Sequence, residues 1–248
     1  MTLSKWVVNA ADRALVRLLC RVSGVDQLER IPQQGPLILV TNHINFLEIP
    51  VLWRYLGSRR VIGLAKAESW QNPALRWLFT QWEAIPVRRG ESDIPALRAS
   101  LSALKSGRIL GLAPEGTRSR DGRLGPGQPG AVTIAIRSGA PLQPIAFWGG
   151  EKLKHHVRRL RRTPFHFAVG EPFHIAPRTE RLSSDGRRQI ADEIMIQIAR
   201  LLPPAYRGVY ADRWDDDCPH LRIGENAYNP GGASPTVRFD THGGPASD

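Results

Sequence analysis

The sequence predicts a single α/β domain, with a mainly parallel central sheet flanked by helices and an amphipathic helix ahead of it. Three observations lead there. Apolar, turn-bounded runs alternate with helical patterns along the body of the chain, the pattern of strands laid side by side by crossover helices. The chain has 248 residues and 42% apolar content, enough for one well-buried domain with appendages and too little for two large ones. After about residue 209 the stretches "DDDCPH", "YNPGGASP" and "THGGPASD" lose any helical or strand period. The expected divisions are 1–28 for an amphipathic, membrane-surface helix, 29–208 for the domain and 209–248 for a Gly/Pro/Asp-rich, loosely ordered tail.

In "LSKWVVNAADRALVRLLCRVSGV", Leu3, Val7, Ala11, Leu15, Leu18, Leu19 and Val22 recur at helical spacing, while Lys5, Asn9, Arg13, Arg17 and Arg21 form a polar row. Trp6 suits a head-group boundary. Such a helix either lies on a membrane or docks on the domain. Strands are expected at "PLILVTN" (36–42), "RRVIGLA" (59–65), "EAIPV" (83–87), "RILGLAP" (108–114), "PLQPIAF" (141–147) and "PFHFAVG" (164–170). Helices are expected at "PVLWRYLG", "NPALRWLFTQW" with its Asn-Pro start, "SDIPALRASLSALKSG" with its terminal glycine, "GAVTIAIRSG" and "SSDGRRQIADEIMIQIARLL". The tryptophans at 53, 70, 77 and 82 read as core or groove lining.

The formal charge is +11, and residues 209–248 hold seven acidic against three basic side chains, a net of −4, so the first 208 carry +15. A cationic body attracts nucleic acid, anionic lipid head groups and phosphorylated small molecules alike. No stretch reaches the roughly 20 apolar residues of a bilayer span, so neither a transmembrane span nor a secretory signal is expected. A peripheral position on the cytoplasmic side of a membrane is expected, with an anionic membrane surface as partner. Cys20 and Cys218 lie too far apart in sequence for a disulfide framework or a metal knuckle. His155, His156, His166 and His174 suggest a metal only by count, and neither metal nor cofactor is expected. "EKLKHHVRRLRR" (151–162) has no aromatic interleaving and no nucleic-acid-binding context; it reads as a basic rim for lipid or coenzyme phosphates, and nucleic acid is not an expected partner.

"TNHINFLEIP" (41–50) carries the first chemical signal. A five-residue step on an α-helix turns by roughly 140°, so His43 and Glu48 can meet only across a strand-to-helix turn, and loops at the carboxyl ends of strands are where ligands bind in such sheets. A capping box from Asn45 to Glu48 is the structural alternative. Pro50 argues against it, because proline is comfortable only where the helix needs no donor; a start at 48–50 frees Glu48 from capping and leaves it to His43. As a dyad, the imidazole takes a proton from a hydroxyl and the carboxylate fixes its tautomer. The second signal is "LGLAPEGTRSRDGRL" (110–124), where Glu115, Gly116, Thr117 and Arg118 directly follow a strand. Gly116 admits close approach and Arg118 presents a planar fork for phosphate; a charged hairpin closed at Asp121-Gly122 is the plainer alternative.

Together the two stretches resemble the glycerolipid acyltransferase superfamily, which includes the 1-acylglycerol-3-phosphate acyltransferases. Asn42-His43-x4-Glu48 matches its first motif with glutamate in place of aspartate, and residues 114–119 match "PEGTRS" without a gap. Lys66-Ala67-Glu68 and "EAIPVRR" with Arg88 resemble the intermediate block, Glu83 or Ala84 standing where the family has glycine. "PLQPIAF" with Pro144 resembles the late motif, and Gly130 falls in the stretch preceding a helix. The resemblance implies an O-acyltransferase that moves a fatty acyl group from acyl-CoA or acyl-carrier protein to a lysophospholipid hydroxyl, foremost 1-acylglycerol-3-phosphate. His43 and Glu48 would be catalytic; Asn42, Lys66, Arg88, Glu115, Gly116, Thr117 and Arg118 would bind substrate. The lysophospholipid and the acyl thioester are then partners, with acyl-carrier protein as a further candidate. Two alternatives remain: another acceptor (aminolipid, glycolipid or specialised metabolite), or a non-catalytic lipid- or nucleic-acid-binding protein.

Overall fold

The computed structural model describes residues 3–32, 35–56, 61–88, 93–177 and 182–224. In chain order they form α1 (Leu3–Leu19), β1 (Cys20–Ser23), β2 (Leu37–Thr41), α2 (Glu48–Leu56), β3 (Val61–Lys66), α3 (Pro73–Gln81), β4 (Ile85–Val87), α4 (Ile94–Lys105), β5 (Ile109–Leu112), α5 (Gly130–Ser138), β6 (Leu142–Trp148), α6 (Leu153–Arg158), β7 (Thr163–Val169), β8 (Phe173–Ile175), α7 (Ser184–Leu201) and β9 (Leu221–Ile223). The sheet order is β1-β7-β6-β2-β5-β3-β4, with β8 joined to β6 and to β9. Strands β6, β2, β5, β3 and β4 are mutually parallel, so their carboxyl ends share one edge; β7 runs against β6, and β1 follows β7.

β2 is buried along its whole length, which is why it reads as an unbroken apolar run rather than an alternating one. Ile38 and Val40 pack with α4, α5 and α7 through Leu104, Val132, Ile134, Ile190 and Ile194. Leu37 and Leu39 face the other side, with Val16 of α1, Leu47 and Val51 at the start of α2, and Phe147, Phe165 and Phe167. The helix starts follow their caps: Asn72 accepts from the amides of Ala74 and Leu75 ahead of Pro73, and Asp93 accepts from Ala96. Gly139, at φ +63, ends α5 in the left-handed region that favours glycine.

Three expectations change. The N-terminal helix stops at Leu19 instead of running to 28, because "CRVS" pairs with β7 as an edge strand; a Cβ at Gly24 would meet the Phe167 carbonyl oxygen at 2.1 Å, which fixes the turn after it. That helix docks on α2 and α3 with Val8 and Val16 buried, while Arg13, Arg17 and Leu18 face solvent; the side chain of Trp6 lies outside the described residues. Residues 209–224, expected in the loosely ordered tail, pack with the body, since Tyr210 and Leu221 are buried and β9 pairs with β8; the rest of the tail lies outside the described residues. Among the tryptophans, Trp82 is buried but Trp77 is half exposed, on the face of α3 turned away from the core. The side chain of Trp53 is also outside the described residues. No helix among the described residues is long and apolar enough to cross a membrane.

Candidate active site

The site begins where β2 ends. Asn42 is buried, donating from Nδ2 to the Phe147 carbonyl and accepting at Oδ1 from the Phe147 amide, both at 2.7 Å. Its amide thus adds a side-chain rung between β2 and β6. Both ends of the Asn42 side chain are therefore engaged with β6.

The turn after it holds the dyad. His43 Nδ1 and Glu48 Oε2 are 2.6 Å apart, and the glutamate side chain is only 4% exposed against 21% for the histidine. A carboxylate only accepts, so in the neutral imidazole the proton sits on Nδ1 and Nε2 keeps its lone pair. Glu48 Oε1 accepts from the amides of Ile44 and Asn45, each at 2.7 Å, and Asn45 Oδ1 accepts from Leu47 N–H at 2.7 Å. The first helical bond is Val51 N–H to the Leu47 carbonyl, so Pro50 does lie in the donor-free first turn. The expectation that this start frees Glu48 from capping is nevertheless wrong. One oxygen caps the turn while the other holds the imidazole. Asn45 adds a tie of its own, from Nδ2 to the Gly150 carbonyl at 2.8 Å.

The segment after β5 meets this turn from the other side. His43 N–H donates to Glu115 Oε1 at 3.0 Å, and Ser119 N–H donates to the His43 carbonyl at 2.7 Å. Glu115 Oε2 accepts from Gly125 N–H at 2.9 Å. Burial pushes the Glu115 carboxyl above its ordinary range, opposed by those two amides. Buried and engaged at both oxygens, Glu115 ties the His43 amide to the Gly125 amide and so joins the two segments. Gly116 adopts φ +67, a left-handed turn, and leaves Thr117 and Arg118 exposed two and one residues before Ser119.

Lys66 and Arg88 share the edge but not the centre. Lys66 ends β3, two strands from β2 and so about 10 Å away, and pairs with Glu68 at 3.3 Å. Arg88 follows β4, three strands out at about 14 Å; its amide donates to Asp93 Oδ2 at 2.8 Å and its side chain is exposed. On the opposite flank, exposed Lys152, Lys154, Arg158, Arg159 and Arg161 around α6 follow the carboxyl end of β6 as a basic rim. Among the described residues, no three histidine, cysteine or carboxylate side chains gather as a metal ion would need. The roles of Asn45, Ser119 and Gly125 were not foreseen. Only Asn45 gave a signal, as a capping residue beside a helix start.

A family model described as acyltransferase matches residues 23–148, which include both the histidine turn and the "PEGTRS" segment. The chain belongs to the acyltransferase family. It is 34% identical over 132 residues to a chloroplastic 1-acyl-sn-glycerol-3-phosphate acyltransferase of Brassica napus, covering 52% of this chain and 38% of that one. The chain thus spans less than half the length of that plant relative. A 1-acyl-sn-glycerol-3-phosphate acyltransferase of Bacillus subtilis is 28% identical over 161 residues, 63% of this chain and 78% of that one. A lyso-ornithine lipid O-acyltransferase of Pseudomonas aeruginosa is 29% identical over 157 residues, 57% of each. The crystal structure of the 1-acyl-sn-glycerophosphate acyltransferase PlsC from Thermotoga maritima superposes with a TM-score of 0.54 and 25% identity, over 77% of each chain. This acyltransferase-family fold thus places the two matched motifs against each other at the middle of the sheet edge.

Proposed function

We propose that the chain is an O-acyltransferase that moves a fatty acyl group from acyl-CoA or acyl-carrier protein to the hydroxyl of a lysophospholipid, foremost 1-acylglycerol-3-phosphate. The observation that carries this reading is the His43–Glu48 dyad, buried on its carboxylate side and open at the imidazole, held by the segment that presents Arg118. His43 Nε2 takes the acceptor's hydroxyl proton as that oxygen attacks the thioester carbonyl carbon. The C–O bond forms, the C–S bond breaks, and the thiolate leaves with the proton returned by the imidazolium. Glu48 holds Nδ1–H throughout and stabilises the cation. Arg118 pairs with the acceptor's phosphate, and the reaction needs no metal or cofactor.

A peripheral position on an anionic membrane fits this chemistry. Phe46, in the dyad's own turn, is 51% exposed, and Leu18, Leu75 and Trp77 are also open to solvent beside exposed Arg13, Arg17 and Arg76. A second reading, an aminolipid acceptor, is favoured by the similarity to the lyso-ornithine lipid O-acyltransferase. One experiment separates the two. Purified protein is given acyl-CoA or acyl-carrier protein with lysophosphatidate, lyso-ornithine lipid or a neutral lysolipid, and products are resolved by mass spectrometry, with His43→Ala as control. Diacyl product from lysophosphatidate that vanishes in His43→Ala supports the first reading, and acylation of the ornithine lipid alone moves the acceptor to the second. Product formation undiminished in His43→Ala would remove His43 as base.

A further inference from the structure

Residues 114–128 form a closed loop with the dyad on one side and the C-terminal part of the chain on the other. Its neck is shut by Gln128 N–H donating to the Pro114 carbonyl at 2.8 Å and by the Gly125–Glu115 bond, and Glu115 in turn holds His43 N–H. The far rim is gripped by residues beyond the region that the family model matches. Leu124 N–H donates to the Tyr206 carbonyl at 3.0 Å, and Val209 N–H donates to the Leu124 carbonyl at 3.1 Å. Gly208, at φ +52, lies so close that a Cβ there would meet the Leu124 carbonyl oxygen at 2.0 Å. Gly127 N–H donates to the Tyr210 hydroxyl at 3.1 Å, and that hydroxyl donates to Asp192 Oδ1 of α7 at 2.7 Å.

Tyr210 is 1% exposed, so this hydroxyl is a fixed point rather than a surface contact. Asp192 accepts the hydrogen bond that this hydroxyl donates, which turns the oxygen lone pairs toward Gly127. Burial and the Asp192 contact push the phenol above its ordinary range, so it stays protonated and the pattern does not change near neutral pH. Gly127 has no slack on its other side, where a Cβ would stand 2.8 Å from Met195 Cγ and 2.9 Å from the Ala191 carbonyl oxygen.

We infer that Tyr210, set by Asp192, is a positioning residue for acceptor binding: it pins the far rim of the loop that presents Thr117 and Arg118. This rests on the acyl-transfer reading above. The inference gives the segment 204–210, beyond the matched region, a part in substrate affinity.

The test uses the full chain with Tyr210→Phe, which keeps the ring, and Asp192→Ala, which removes the acceptor that orients the hydroxyl together with a 3.5 Å ion pair to Arg213. Amide hydrogen exchange over residues 116–127 is expected to quicken in both variants. With lysophosphatidate the acceptor KM is expected to rise about threefold to tenfold, the loss of one positioning hydrogen bond, while the KM for acyl-CoA stays unchanged and kcat changes less than the acceptor KM. Unchanged exchange in both variants overturns the inference, as does faster exchange with both KM values unmoved. A fall in kcat alone also overturns it, because that would place Tyr210 in the chemistry or in general stability. If the wild-type chain acylates no acceptor in the panel, the functional reading fails separately. The clamp is then decided by exchange alone, faster in the variants or not.

Discussion

Replacing Glu48 by glutamine is the sharpest test of the dyad, because the structure fixes what the amide must do. Oε1 accepts from two backbone amides at 2.7 Å, Ile44 and Asn45. Only an oxygen satisfies them, so the glutamine carbonyl takes that place and its NH2 faces His43 Nδ1, where Oε2 stood at 2.6 Å. An NH2 only donates. The imidazole must then carry its proton on Nε2, and the nitrogen aimed at the acceptor hydroxyl becomes a donor instead of a base. Losing general-base help costs about 10²- to 10⁴-fold in rate, and the equivalent barrier change is roughly 3–5 kcal/mol. Stability should suffer less, since both amides keep a partner and only the charge on it is lost, about 1–2 kcal/mol. The assay is kcat with acyl-CoA and the preferred acceptor, paired with thermal unfolding. A Glu48→Gln variant that melts early but turns over normally when folded would refute the reasoning and leave Glu48 as a cap alone.

Arg118→Ala is expected to raise the acceptor KM by about tenfold or more, with Arg118→Lys recovering part of it, because an ammonium supplies charge without the bidentate fork. Arg88→Ala, three strands from the strand that leads to His43, should shift the same KM much less; equal effects of the two in steady-state kinetics would show that the acceptor phosphate spans both. Asp12 tests electrostatics far from the chemistry: burial pushes its carboxyl from 3.8 to about 6, partly opposed by the Trp82 side chain. A raised folded-state value means that its contribution is fully present below about pH 4 and is lost as the pH rises through about 6. Asp12→Asn should therefore stabilise the fold at pH 8 by up to about 3 kcal/mol, with the gain fading toward pH 4. Paired denaturant titrations check it, and a gain independent of pH would rule out the titration as its source.

The legible part of the fold was the part buried on both faces. β2, β5 and β6 are short, nearly continuous apolar runs because helices cover them above and below, and the helices between them announce themselves by Asn72, Asp93 and Gly139. β1, β8 and β9 were missed because each is three or four residues long, at or near an edge, and exists only through a distant partner. "CRVS" continues a helical stripe in sequence, and pairing with β7 overrides it. The Tyr210 clamp left no trace for the same reason: its partners, Gly127 and Asp192, are 83 and 18 residues away.

The candidate site shows a subtler limit. Pro50 correctly placed the start of α2, yet the inference that Glu48 was thereby freed from capping treated a carboxylate as having one job. It has two oxygens, and here they divide the work: one ties the turn's amides, the other the imidazole. That division bears on the glutamate itself. On this backbone an aspartate carboxylate would stop about 1.5 Å short of donors that Glu48 meets at 2.6–2.7 Å. Gaps of about 4 Å are not hydrogen bonds. The turn from 43 to 48 is therefore built around the longer side chain. Glu115 reads the same way from the far side: sequence marks it as part of a ligand-binding motif, and the fold spends both of its oxygens on holding His43 and Gly125 in place. What the two motifs share is a division between buried carboxylates that shape the loops and the half-buried His43 and exposed Arg118 that those loops present.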